Sequence, residues 1–128
     1  MSKILIIDDD ESLLRAMRIT LEKRGHEIFE ASNGRDGIRV ADTNELDLVV
    51  SDIVMPEVEG LETIRALRHK FPSLPIIGVS GAGRSGMANY LEMAAFMGAV
   101  RTLRKPFELC EFRDAIASVL EMQNSAAD

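Results

Sequence analysis

The chain has 128 residues, which is enough for one domain that buries about two-thirds of its unfolded surface. Its formal net charge of −6 argues against a nucleic-acid surface, and its single cysteine, Cys110, excludes an internal disulfide. No apolar stretch is long enough for a membrane span and no leader segment precedes the first strand, so we expect a cytoplasmic protein.

Short apolar segments alternate with longer amphipathic segments from Lys3 onward. The predicted strands are Lys3–Asp8, His26–Ala31, Leu46–Asp52, Pro75–Ser80 and Ala99–Leu103. The predicted helices are Glu11–Arg24, Arg35–Asp42, Glu59–Lys70, Arg84–Met97 and Leu109–Met122. Five strands that alternate with five helices indicate an α/β fold with a parallel sheet covered on both faces. We expect one domain over residues 1–122 and a loose tail over residues 123–128.

The first helix has recognisable residues at both ends. Leu14, Met17 and Leu21 recur at helical spacing along one face of the segment. Gly25 is placed to end the helix, and Asp10 is placed to cap its start. We therefore expect Asp10 to stabilise the helix and to take no direct part in chemistry.

Acidic residues end the first and third predicted strands. Ligands of open α/β sheets bind at the carboxyl ends of the strands, and parallel neighbours lie about 4.8 Å apart. If these two strands are neighbours, the carboxylates of Asp8, Asp9 and Asp52 crowd together at one edge. Like charges that close are neutralised by a cation or raise one another's pKa, and Mg²⁺ prefers carboxylate oxygens as ligands. The sequence therefore predicts an acidic, metal-dependent site.

Asp52 is the predicted nucleophile of this site. A carboxylate that attacks phosphorus forms an acyl phosphate, and a cation held by Asp8 and Asp9 would screen the repulsion between the two anions. Ser80 ends the fourth predicted strand, where its hydroxyl can donate to a phosphoryl oxygen. Lys105 follows the fifth strand and precedes a proline, which favours extended backbone; its ammonium can pair with Asp52 or with a phosphoryl oxygen.

A glycine-rich segment after the fourth strand favours a different interpretation. Gly81, Gly83 and Gly86 match the G-x-G-x-x-G pattern of dinucleotide-binding loops. The motif lies in the fourth strand–helix unit, however, and Arg101 and Arg104 stand where an acidic residue is usual, about 20 residues on. A nucleotide-binding α/β domain is thus one alternative function, and it leaves the acidic cluster unexplained.

A Mg²⁺-dependent phosphohydrolase that forms an aspartyl phosphate is the other alternative. Such enzymes of the haloacid-dehalogenase type usually carry a second aspartate two residues after the nucleophile, where this chain has Val54. The residue at that position therefore disfavours a phosphohydrolase.

The chain resembles the receiver domain of bacterial two-component response regulators over essentially its whole length. The motifs that carry the resemblance are Ile7-Asp8-Asp9, the run Ser51-Asp52-Ile53-Val54-Met55-Pro56 followed by Gly60, Ser80, and Lys105-Pro106-Phe107. The resemblance implies a flavodoxin-like sheet of order 2-1-3-4-5. It is closest in type to a stand-alone, chemotaxis-regulator-like single domain.

The resemblance also implies a reaction. Asp52 would accept a phosphoryl group from a phosphohistidine of a sensor kinase or of a histidine phosphotransfer protein. Asp8 and Asp9, the second more directly, would bind Mg²⁺ together with Asp52 and the backbone carbonyl of Val54. The chain would catalyse only its own phosphorylation and dephosphorylation, and would signal to a separate effector protein, with a homodimer as a further possibility.

Signal transmission is where the chain departs from the family pattern. The resemblance implies that Lys105 pairs with the phosphoryl group. It also implies that Ser80 moves toward that group and changes the face formed by the fourth helix, fifth strand and fifth helix. Three residues before Lys105 the family usually carries tyrosine or phenylalanine, whereas this chain has Thr102. We therefore expect loop and helix shifts to replace the aromatic part of the switch.

Overall fold

The computed structural model of this chain describes residues 2–53, 60–80 and 98–127. The strands are β1 (Lys3–Ile7), β2 (Glu27–Ala31), β3 (Leu48–Asp52), β4 (Ile76–Ser80) and β5 (Arg101–Arg104). The helices in these ranges are α1 (Glu11–Glu22), α2 (Gly34–Thr43), α3 (Gly60–Lys70) and α4 (Leu109–Ala127). No helix in the described ranges is both long enough and apolar enough to cross a membrane.

The five strands form one sheet of order β2-β1-β3-β4-β5, and every neighbouring pair is parallel. This order confirms the predicted flavodoxin-like α/β architecture. The chain turns from one side of β1 to the other between β2 and β3, so the carboxyl ends of β1 and β3 form the switch point where such sheets bind ligands. Asp52 is in register with Val79 and Ser80 with Arg104, which brings the ends of β3, β4 and β5 to nearly the same level.

Alternate residues of the central strands enter two separate hydrophobic clusters. The first cluster packs against α2 and α3 and includes Leu5, Ile7, Val49, Ile64, Leu67 and Ile76. The second packs against α1 and α4 and includes Ile4, Ile6, Leu14, Met17, Val50, Ile77, Phe112 and Ile116. Because both faces of the sheet are covered, the strands read as nearly continuous apolar runs in the sequence.

Helix α1 ends in a glycine-dependent turn. Gly25 has φ +88°, a left-handed conformation that glycine adopts without steric cost. Its N–H donates to the carbonyl of Glu22 at 3.0 Å, and the N–H of His26 donates to the carbonyl of Leu21 at 3.3 Å. These two hydrogen bonds form a Schellman motif, which confirms the predicted role of Gly25.

Helix α2 approaches β1 very closely at Gly37. Both Gly37 and Ile7 are buried, and a Cβ atom built on Gly37 would overlap the side chain of Ile7. The absence of a side chain at this position therefore sets the distance between α2 and the sheet.

The C-terminal helix is longer than its sequence pattern indicates. We expected it to end at Met122 and the following residues to form a loose tail, but α4 continues through Ala127. Residues 123–127 contain neither glycine nor proline, and glutamine and alanine favour helix, so no local signal ends it. That residues 1–122 form the functional unit stays a prediction. The predicted helix Arg84–Met97 and the glycines before it lie outside the described residues.

Candidate functional site

The sheet brings the predicted site residues to one edge. Asp8 follows β1, Asp52 ends β3, Ser80 ends β4, and Lys105 follows β5. Asp8, Asp52 and Ser80 are 1%, 5% and 1% exposed, although polar residues of these types are usually found at the surface. Val54, whose carbonyl is a predicted metal ligand, lies outside the described residues.

Three carboxylates meet at this edge. One oxygen from each of Asp8, Asp9 and Asp52 lies within 4.8 Å of the other two, as the sequence predicts for neighbouring strands. Asp9 is exposed, so the cluster has one side open to solvent while its other two members are buried. Buried carboxylates at this separation require positive charge, and their oxygen atoms are ligands that suit Mg²⁺. The donor set therefore fits a hard divalent cation.

Lys105 supplies positive charge from the protein itself. Its Nζ lies 2.8 Å from Asp8 Oδ2 and 3.5 Å from Asp52 Oδ2, and its side chain is 21% exposed. Burial alone would lower the pKa of Lys105, but the hydrogen bond to Asp8 and the charge of Asp52 outweigh it and raise that pKa above its ordinary value. The ammonium is therefore charged throughout the neutral pH range.

Two contacts hold the segment that carries Lys105. The N–H of Lys105 donates to the carbonyl of Ser80 at 2.6 Å, and the peptide bond to Pro106 is cis. Two residues further on, the ring of Phe107 stacks on Phe112 of α4, with centroids 5.8 Å apart and ring planes inclined by 20°. Phe112 is fully buried. The helical pattern of the sequence does not specify this contact between Phe112 and the segment that carries Lys105.

Asp8 uses its two carboxylate oxygens for different partners. Oδ1 accepts a hydrogen bond from the N–H of Asp10 at 2.9 Å, while Oδ2 pairs with Lys105. The carboxylate of Asp10 accepts hydrogen bonds from the N–H groups of Ser12 and Leu13 at 3.1 and 3.2 Å. Asp10 is therefore the N-cap of α1, as the sequence predicts.

The hydroxyl of Ser80 is buried and has no hydrogen-bond partner within the described part of the chain. A buried hydroxyl without a partner costs free energy, so it is available to donate to an acceptor that enters the site. Thr102, in register with Gly78 on the neighbouring strand, is half-buried.

A family model of the response regulator receiver domain matches residues 4–117. The chain therefore belongs to the receiver domain family of response regulators, a family of signalling proteins.

The chain is similar to parts of several longer proteins. The chain is 29% identical over 125 residues to the alkaline phosphatase synthesis transcriptional regulatory protein PhoP of Bacillus subtilis, covering 98% of this chain and 51% of PhoP. It is 30% identical over 128 residues to the transcriptional regulatory protein KdpE of Mycobacterium tuberculosis, covering all of this chain and 55% of KdpE. A 32% identical match over 123 residues covers 94% of this chain and 13% of the sensor kinase CckA of Brucella abortus. The chain thus spans about half the length of PhoP and KdpE and a small part of CckA.

Solved structures share the whole fold. A CheY-like response regulator receiver domain protein from Methanospirillum hungatei superposes with a TM-score of 0.89 at 25% identity, covering 98% of both chains. A response regulator receiver domain protein from Clostridium thermocellum superposes with a TM-score of 0.86 at 29% identity, covering 98% of this chain and 99% of the other. The architecture of the described residues is therefore that of a receiver domain.

Proposed function

We propose that Asp52 is the phosphoacceptor of a phosphorylation-controlled signalling switch. The observation that carries the proposal is the position of Lys105 Nζ between Asp8 and Asp52, at the point where three carboxylates converge. This arrangement combines a nucleophilic oxygen with positive charge for an incoming phosphoryl group, which is the combination that phosphoryl transfer requires.

In the proposed reaction an oxygen of Asp52 attacks the phosphorus of a phosphohistidine. A P–O bond forms, the P–N bond to the donor breaks, and the imidazole leaves with its electron pair. Lys105 is already within 3.5 Å of Asp52 and pairs with the transferred oxygens, and Ser80 donates its free hydroxyl to them. Asp8, Asp9, Asp52 and the carbonyl of Val54 would hold Mg²⁺, which when bound neutralises negative charge on the phosphoryl oxygens.

The consequence of the reaction is a change of charge at a largely buried site. A phosphoryl group adds dianionic character and strong acceptor oxygens beside Ser80, and biases a two-state surface toward its partner-binding form. The proposed partners are a sensor histidine kinase or histidine phosphotransfer protein on one side and an effector protein in trans, or a second copy of the chain, on the other. Such a switch catalyses only its own phosphorylation and dephosphorylation, and its free thiol at Cys110 suits the cytoplasm.

Phosphorylation by a small-molecule donor tests the proposal directly. The chain is incubated with acetyl phosphate and Mg²⁺, and its intact mass is followed with time. We expect the wild type to gain one base-labile phosphoryl group and Asp52→Asn to gain none. Asp10→Asn is the matched control, because asparagine also caps helices and this residue lies on the same rim; it should be phosphorylated like the wild type. Equal labelling of Asp52→Asn and the wild type contradicts the proposal.

The same experiment separates the switch from a phosphohydrolase. A switch that labels itself retains the phosphoryl group and releases phosphate slowly, whereas a phosphohydrolase turns over the donor many times without accumulating the labelled form. The match of the receiver family to residues 4–117 supports the switch.

A further inference from the structure

Helix α4 begins with two interactions that join its first turn to the loop that carries Lys105. Glu108 directly precedes the helix, and its carbonyl accepts the first helical hydrogen bond, from the N–H of Phe112 at 3.1 Å. Its own N–H donates to Glu111 Oε1 at 3.3 Å, which is one half of a capping box. Phe107, the residue before Glu108, stacks on Phe112. An apolar pair at these two positions is a hydrophobic staple, which fixes the angle at which the chain enters a helix.

The pair of Phe107 and Phe112, which we call the staple, is anchored in the core. Phe112 is fully buried, and Phe107 packs against the hydrophobic cluster between the sheet and helices α1 and α4 that contains Phe112. The ring centroids are 5.8 Å apart, a separation at which aromatic pairs attract each other beyond the effect of burial. The staple therefore ties the loop after β5 to the core as well as to α4.

Lys105 lies between two fixed points of the backbone. On its amino-terminal side β5 ends at Arg104, and the N–H of Lys105 itself donates to the carbonyl of Ser80. On its carboxyl-terminal side only Pro106 separates it from Phe107 and so from the staple. A lysine side chain is a flexible four-carbon stem, so the position of its ammonium depends on how firmly the backbone beneath it is held.

We propose that the staple positions Lys105 for phosphoryl transfer, and that Phe107 and Phe112 are positioning residues of the reaction. The inference rests on the proposed function, in which Lys105 pairs with the transferred oxygens, and it adds two residues that act through the lysine. Nζ lies 3.5 Å from Asp52 Oδ2, and a displacement of about 1 Å at a reacting group can slow a reaction on the order of a hundredfold. Loosening the staple therefore slows the transfer while Asp52 remains the acceptor.

Rates of phosphorylation by acetyl phosphate and Mg²⁺ test the inference on the full chain. Phe107→Ala removes the staple at a half-buried position, and we expect it to be phosphorylated roughly tenfold more slowly than the wild type. Val119→Ala is the matched control, because it truncates a buried side chain of the same helix two turns beyond Phe112; its rate should stay within about twofold of the wild type. A wild-type rate in Phe107→Ala overturns the inference, whereas an unlabelled wild type overturns the proposed function itself.

A double variant distinguishes positioning of the lysine from a general loss of packing. If Phe107 acts through Lys105, its truncation has no further effect once the ammonium is gone. Lys105→Met and the double variant Lys105→Met, Phe107→Ala should therefore be phosphorylated at the same slow rate. An equal reduction by Phe107→Ala with and without the lysine shows that the staple acts independently of Lys105 and overturns the inference.

The order of the Lys105 side chain gives a readout that needs neither metal nor phosphate. The lysine side chains are labelled with ¹³C at Cε, and the Lys105 signal is assigned by its loss in Lys105→Arg. In the metal-free chain, ¹³C relaxation should show a lower order parameter at Lys105 in Phe107→Ala than in the wild type. The order parameter of Lys70, which pairs with Asp42 on the exposed surface, should not change. An unchanged order parameter at Lys105 overturns the inference.

Discussion

Lys105 and Asp8, 97 residues apart in the chain, form an ion pair of 2.8 Å at the carboxyl end of the sheet. The pair joins the loop after β5 to the end of β1, across the positions of β3 and β4. It is thus both an element of the candidate site and a contact between distant parts of the fold.

The first prediction concerns this ion pair. Lys105→Met leaves the buried carboxylate of Asp8 without its cation, and we expect the free energy of unfolding in metal-free buffer to fall by roughly 3 kcal/mol. Lys70→Met, which breaks an exposed pair with Asp42, should cost about 1 kcal/mol or less. Urea denaturation in the presence of a chelator measures both. Equal losses in the two variants would show that burial does not strengthen the Lys105 pair.

The second prediction concerns the contact between α2 and β1. Alanine favours helix over glycine by about 1 kcal/mol, yet we expect Gly37→Ala to destabilise the chain by about 1–3 kcal/mol, because the new methyl group overlaps Ile7. The nearest atom of Ile7 is Cδ1, which valine lacks. Ile7→Val should therefore recover part of the loss when combined with Gly37→Ala. Thermal unfolding of the two single variants and the double variant gives the coupling, and strictly additive effects would refute the overlap.

The third prediction compares two buried serines. Ser80 Oγ has no hydrogen-bond partner among the described residues, whereas Ser51 Oγ donates to the carbonyl of Asp52 at 3.2 Å. We expect Ser80→Ala to leave the unphosphorylated chain as stable as the wild type or more stable by up to about 1 kcal/mol. Ser51→Ala should be destabilising by a similar amount. Urea denaturation checks both, and a large loss for Ser80→Ala would mean that its hydroxyl already contributes to folding.

The fourth prediction is a pH dependence of stability. Burial, reinforced by the charge of Arg24 and opposed by that of Asp47, lowers the pKa of His26 below its ordinary value. Its neutral Nδ1 accepts a hydrogen bond from the N–H of Ser2 at 3.2 Å. Because the pKa of His26 is lower in the folded than in the unfolded chain, neutral His26 contributes fully to stability above about pH 6.5. That contribution is lost as the pH falls through the folded-state pKa of His26.

Unfolding free energies measured between pH 7.5 and pH 5 test this dependence. We expect His26→Gln to show a shallower decrease toward acid pH than the wild type, because its side chain does not titrate. His69→Gln replaces an exposed histidine and should retain the wild-type slope. A wild-type slope in His26→Gln would assign the acid sensitivity to other groups.

Local features of this chain were predictable because they depend on neighbouring residues. Asp10 and Gly25 mark the ends of α1 through hydrogen bonds that span five residues or fewer, and both predictions are confirmed. The predicted end of the last helix was wrong: α4 continues through Ala127, because residues 123–127 contain no glycine or proline to end it.

By itself the sequence determined the five strands, the helices α1, α2 and α3, and the residue types of the site. Apolar runs buried on both faces favour a parallel sheet, and parallel strands present their carboxyl ends at one edge, so Asp8, Asp52 and Ser80 were expected at that edge. The strand order of the sheet makes β1, β3 and β4 successive neighbours and so brings the three residues together. Only the tertiary structure decided that Lys105 pairs more closely with Asp8 than with Asp52, and that Phe112 supports the segment that carries it. The distances from Lys105 Nζ to the two carboxylates differ by less than 1 Å. Such a difference depends on strand stagger, side-chain rotamers and packing across the sheet, and no pattern of residues along the chain specifies these.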